Sequence, residues 1–177
     1  LGFMHFLRQN KHDAHVISPN QYSDFLKWVP GSSSLSIYEE NPIIANEKIA
    51  QADLIFTLDF NTLSRIGEMG VQVAASQAQK IIIDHHQEPD DFADLTFSYP
   101  SLGSTCELVY HIIDSLGGVD NISADLATAL YLGILTDTGS FRFPSVTPTT
   151  HRVVAILIEN GANPSEINRR VNDTAHL

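Results

Sequence analysis

The sequence predicts an α/β protein, a mainly parallel sheet flanked by helices and followed by a helical segment. Three observations carry this. Leu54–Leu58 and Ile81–Ile83 are short apolar runs with β-branched residues, bounded by polar ones, which is how buried strands read. Neither run alternates, as expected where both faces of a parallel sheet are covered. Helix-like segments alternate with the runs, and such alternation favours parallel pairing through helical crossovers.

The elements follow in order. Leu1 to Leu7 is an apolar, helix-like run with no cap before it. A third strand is predicted at Ala14–Ile17, and Gly31 to Ser34 reads as a loop. Asn41-Pro42 has the form of an N-cap with proline at the first helical position, opening a helix through Ala50. Another helix follows Asn61. In the second half, Ser104-Thr105-Cys106-Glu107 has capping-box spacing. Leu108, Val109, Ile112, Ile113 and Leu116 then form one stripe, ended by Gly117-Gly118. Ser123 opens the next helix, with Leu126, Ala127, Leu130, Tyr131 and Ile134 inward. Thr147-Pro148 opens a third that closes at Gly161, and Asn163-Pro164 opens a fourth.

Composition narrows the functional classes. A net charge of −11 argues against a broad basic face gripping nucleic acid. It leaves room for a phosphate substrate, because metal-binding carboxylates are neutralised by their ions. The single cysteine, Cys106, excludes a disulfide within the chain and fits a reducing cytoplasm. Its place just inside an apolar helix suggests packing and not nucleophilic chemistry. No stretch approaches the roughly 20 apolar residues of a membrane span, and the first ten residues lack the features of a signal peptide. Both ends lack start and stop signals, so further residues are expected beyond each.

The chemistry gathers at strand ends. The first buried run leads into Asp59 and the second into Asp84-His85-His86. Ligands of open α/β sheets bind at the carboxyl ends of strands, so these groups are expected on one rim. Asp137, in Gly133-Ile134-Leu135-Thr136-Asp137-Thr138-Gly139, is a third candidate, where another apolar run breaks at an acid. Taken alone, Asp59 or Asp137 reads more readily as a turn former or cap. Two adjacent histidines after an aspartate are harder to read as structural. Carboxylate oxygen with imidazole nitrogen suits manganese, iron, cobalt or zinc, and paired metals commonly serve displacement at phosphorus. His5, His12, His15, His111, His151 and His176 read as structural or surface residues.

Asp84-His85-His86 resembles the signature of the DHH phosphoesterases. Asp59, closing LIFTLD, resembles that family's second motif, and Asp137, in GILTDTGSFRF, its fourth. GSTCELVY and TDTGSFRF are similar to the DHH/DHHA1 branch, in particular to bacterial oligoribonucleases and pAp phosphatases. The resemblance covers about Asp53 to Asn172. It implies two divalent ions of the manganese type, with Asp59 bridging both and His85 and Asp137 holding one. It also implies that His86 faces the substrate phosphate and that Asp84 supports the histidines. Asp59, His85, His86 and Asp137 are therefore the expected catalytic set. Ser104 and Thr105, at a helix start, could receive a phosphate, although plain capping is the favoured reading. Arg142 could steady an anion or be a surface arginine.

The family's first motif, a His followed by Pro-Asp-x-Asp, is absent from the chain, as is the C-terminal DHHA1 substrate domain with its glycine-rich His motif. The expectation is a DHH domain over 1–177 without those parts, whose visible ligands cannot fill two metal sites. The implied activity is hydrolysis of short oligoribonucleotides or nucleotide phosphates such as pAp. Pyrophosphate, polyphosphate or a cyclic dinucleotide are alternative substrates on the same platform, and a non-catalytic nucleotide-binding domain is the alternative of another class. The expected partners are a short RNA or nucleotide phosphate and no membrane, with a homodimer as an open possibility.

Overall fold

The computed structural model describes residues 1–173, and the sequence-predicted surface histidine His176 lies outside them. In chain order the principal elements are α1 (Gly2–Gln9), β1 (Ile17–Ser18), β2 (Ser36–Ile37), α2 (Pro42–Gln51), β3 (Leu54–Leu58), α3 (Gly67–Ala75), β4 (Gln79–Asp84), β5 (Leu95–Ser98), α4 (Thr105–Ser115), α5 (Ala124–Asp137), α6 (Pro148–Glu159) and α7 (Pro164–Asp173). The chain divides into two compact units. One holds Ile17–Gln21 and Ser36–Ser101; the other holds Leu1–Val16, Tyr22–Leu35 and the chain from Leu102 onward.

The first unit contains every strand among the described residues. β3, β4 and β5 form a parallel sheet in that order, and β1 pairs with β2, also in parallel. The all-parallel pairing agrees with the non-alternating strands. Asn41 caps α2 by accepting from the Ile44 N–H, with Pro42 in the first turn. Tyr38, Ala45, Ile49, Ile66, Met69 and Val73 make the core of this unit. Two expectations shift. The third strand is Ile17–Ser18 and not Ala14–Ile17, with His15 beside Asp13 at 3.2 Å. The segment after Asn61 first makes a 3-10 turn, Leu63–Ile66, before α3 begins. β2 and β5 have no counterpart in the sequence reading. They have two and four residues, too short for a periodicity to register.

The second unit is helical. α5 is apolar on nearly all sides, with eight of its residues buried, and packs against α1, α4 and α6. A helix without a polar face is stable only when surrounded in this way. Ser104, Ser123 and Thr147 are the N-caps of α4, α5 and α6, as their sequences predict. Cys106 is half-buried at the contact between α4 and α5. A Cβ built on Gly133 would lie 2.1 Å from its sulfur, so glycine is required for this approach.

Two expectations fail here. Leu116 does not join the α4 stripe: the helix ends at Ser115 and Leu116 is 65% exposed. The box at Ser104 is only half formed. Ser104 Oγ accepts from the Glu107 N–H at 3.1 Å, but the fully buried Glu107 carboxyl group turns away. It accepts instead from the Thr150 hydroxyl, at 3.1 and 3.0 Å to its two oxygens. A true capping box forms at α6, between Thr147 and Thr150.

Candidate metal centre

β3 and β4 are adjacent and run in step, Leu58 opposite Ile83. Their carboxyl ends therefore lie level, and the next residues emerge side by side. The Asp59 N–H still donates to Ile83 O at 3.2 Å. Asp59 then adopts φ +67°, the left-handed conformation that aspartate tolerates better than most residues. The turn takes the chain away from the sheet and leaves the Asp59 side chain about half exposed.

Asp84 is the last residue of β4, paired with Ser98 of β5, and its side chain is fully buried. His85 and His86 lie just past the strand. His85 Nε2 is 3.5 Å from Asp59 Oδ1. His86 folds back so that Nδ1 meets Asp84 Oδ1 at 2.8 Å. A carboxylate only accepts, so this bond assigns the proton to Nδ1 and directs Nε2 elsewhere. The two rings meet edge to face, with centroids 4.7 Å apart.

Asp59, His85 and His86 each offer one ligand atom within 4.8 Å of the others. One oxygen and two nitrogens suit a borderline divalent cation. His85 and His86 side chains are 20% and 40% exposed, so the cluster is supported from below and open to solvent. Asp84 Oδ2 is buried without a hydrogen-bond partner. An unmet acceptor of this kind is costly unless an ion or water satisfies it. The donor set of Asp59, His85 and His86 fits a bound cation.

The other sequence candidates belong to the helical unit. Asp137 is the last residue of α5, with an exposed side chain. It leads into a tight turn in which Gly139, Ser140 and Phe141 all have positive φ. Thr138 locks that turn: its hydroxyl accepts from the Phe141 N–H at 3.1 Å, and its carbonyl accepts from Arg142 and Phe143. Arg142 is exposed and donates from Nε to Gly139 O at 2.6 Å. Ser104 is fully buried and its hydroxyl is engaged as a cap; Thr105 is buried beside it. His111 Nε2 lies 3.9 Å from the buried Glu107 carboxyl, a neighbour one helical turn away.

Sequence reasoning missed Asn61 and Ser98. Asn61 Nδ2 donates to Gln87 O at 2.8 Å, and Ser98 Oγ donates to His86 O at 3.3 Å. Asn61 stands two residues after Asp59, but an asparagine in a loop reads first as an ordinary turn residue.

Among the described residues no helix is long and apolar enough to cross a membrane. Residues 1–134 match the model of the DHH family, N-terminal domain. The chain is 35% identical over 147 residues to a bifunctional oligoribonuclease and PAP phosphatase, NrnA, of Thermus thermophilus, covering 83% of this chain and 41% of that protein. The NrnA of Bacillus subtilis is 30% identical over 144 residues, covering 80% and 44%. The chain thus spans less than half the length of these relatives. The crystal structure of an exopolyphosphatase-related protein from Bacteroides fragilis superposes with a TM-score of 0.95 at 41% identity, over 97% of this chain and 51% of that one. With Asp84 closing β4, His85 and His86 just past it, and the family model matching residues 1–134, about three quarters of the chain, this chain belongs to the DHH family.

Proposed function

We propose that the protein is a metal-dependent phosphoesterase that hydrolyses short oligoribonucleotides, nucleotide phosphates such as pAp, or both, using two manganese-type ions. The observation that carries this reading is the Asp59–His85–His86 cluster, three ligand atoms within 4.8 Å at the carboxyl edge of a parallel sheet. The family membership and the names of the two NrnA relatives support the substrate class. A divalent ion held there would neutralise charge on the phosphoryl oxygens and acidify a water molecule.

The chain's own residues have separable roles in this reading. Asp59 and His85, 3.5 Å apart, are the pair that would share a cation, with Asp59 also bridging to a second. His86, its Nδ1 held by Asp84, would present Nε2 to a phosphoryl oxygen. Hydrogen bonding there helps most where charge develops in the transition state. Asp137 is proposed as a further ligand on the resemblance of its motif alone. Arg142 and the helix start at Ser104 and Thr105 remain proposed substrate contacts, the latter second to the capping role that Ser104 performs. By the family resemblance, completing two metal sites would also take a first motif, and substrate capture a DHHA1 domain.

The test uses the full-length protein, stripped with chelator and reloaded with manganese. Rates are measured on a short RNA, on pAp and on polyphosphate, the last because the similar Bacteroides fragilis protein is described as exopolyphosphatase-related. RNA or pAp turnover that appears with manganese and falls at least about a thousandfold in Asp59→Ala is expected, since loss of a bridging carboxylate leaves its cations repelling one another. Near-normal rates for Asp59→Ala at saturating manganese would refute the role of Asp59. Turnover confined to polyphosphate would replace the substrate.

A further inference from the structure

Asp59 and His85 come from different strands; the paired register ends at Leu58 and Ile83, with one last bond from the Asp59 N–H to Ile83 O at 3.2 Å. Beyond that point the sheet no longer dictates the distance between them. Asp59 itself leaves the strand in a left-handed conformation. Other bonds hold the two loops together. Asn61 Nδ2 donates to Gln87 O at 2.8 Å, and Asn61 O accepts from the Asp90 N–H at 2.9 Å. Asn61 therefore ties its loop to the following one at two points, one of them next to His86. From the opposite side, Ser98 Oγ donates to His86 O at 3.3 Å and the Tyr99 N–H donates to Asp84 O at 3.0 Å.

We infer that Asn61 is a positioning residue that sets the Asp59-to-histidine spacing, with Ser98 as the opposing tether. The inference rests on the reading that Asp59 and His85 hold a divalent ion. Two features separate this role from that of an ordinary turn asparagine. A turn asparagine bonds its own backbone within two or three residues, whereas Asn61 reaches a residue 26 positions away. Asn61 is also 5% exposed, so water cannot readily replace its bond to the Gln87 carbonyl. Partners that orient ligands in this way typically alter metal affinity when removed.

The experiment measures cobalt and manganese binding to the chelator-stripped full-length protein and to its Asn61→Asp and Ser98→Ala variants. Asn61→Asp keeps the size of the side chain but sets an acceptor against the Gln87 carbonyl. The expected result is a folded variant by circular dichroism whose cobalt Kd is weakened about 10- to 100-fold, with a changed visible cobalt spectrum. Ser98→Ala should weaken binding about threefold, in line with one longer hydrogen bond. A merely structural asparagine would lower the melting temperature while leaving Kd and spectrum of the folded protein unchanged, and that result overturns the inference. Should Asn61→Asp fail to fold, Ser98→Ala decides, and wild-type affinity and spectrum in that variant overturn it. An unaltered protein that binds neither ion refutes the metal reading itself and the inference with it, a result distinguishable from the others.

Discussion

Replacing Thr150 by valine keeps the shape of a buried side chain and removes one hydroxyl. That hydroxyl sits at a junction. It donates to the fully buried Glu107 carboxyl group and also accepts from the Thr147 N–H at 3.1 Å, closing the α6 capping box. Losing the capping interaction costs about 1 kcal/mol. Leaving the buried acceptor of Glu107 without its hydroxyl donor costs about 1–3 kcal/mol more. The added methyl group recovers little, because it would face a carboxyl group and not apolar atoms. The expected destabilisation is about 3 kcal/mol, and for a domain of this size that lowers Tm by roughly 6–12 °C. Urea unfolding followed by circular dichroism measures it, with Thr150→Ser as the control that restores the hydroxyl and should cost less than about 1 kcal/mol. If serine and valine destabilise equally, the hydroxyl is not what stabilises this junction and the reasoning is wrong.

Two further outcomes are expected. In the manganese-treated full-length protein, the proposed roles predict that His85→Ala lowers both metal content and turnover, whereas His86→Ala lowers turnover far more than metal content; equal metal loss, measured by elemental analysis, would make His86 an ordinary ligand. Gly133→Ala places a Cβ 2.1 Å from the Cys106 sulfur and should destabilise by about 1–3 kcal/mol, with Cys106→Ala restoring most of it in the double variant; additive losses in a denaturation cycle would show that the contact is not the cause.

The legible parts of this protein are those written in short-range pattern. Asn41, Ser104, Ser123 and Thr147 declare their helices because a cap bonds backbone two or three residues ahead. β3 and β4 declare themselves by apolar runs, and Asp59 and Asp84-His85-His86 by standing directly after those runs, Asp84 as the last residue of β4. Leu116 misleads because a stripe does not say where a helix stops: the backbone leaves the helix at Ser115, one residue early. The half-box at Ser104 misleads because a glutamate at capping distance can bond backward or across, and sequence spacing cannot rank those options.

By itself, then, the sequence determined the α/β class, the starts of α2, α4, α5 and α6, the strands β3 and β4 and the residue types able to bind a cation, since all of these follow from neighbours along the chain. Tertiary structure alone decided that Asp59 and His85 stand 3.5 Å apart, that Asp84 holds His86, and that Asn61 reaches Gln87. It also gave Glu107 a partner 43 residues away. The physical reason is the same in each case. A buried polar group takes whichever donor or acceptor packing brings within about 3 Å, and that choice is made only when the elements have come together.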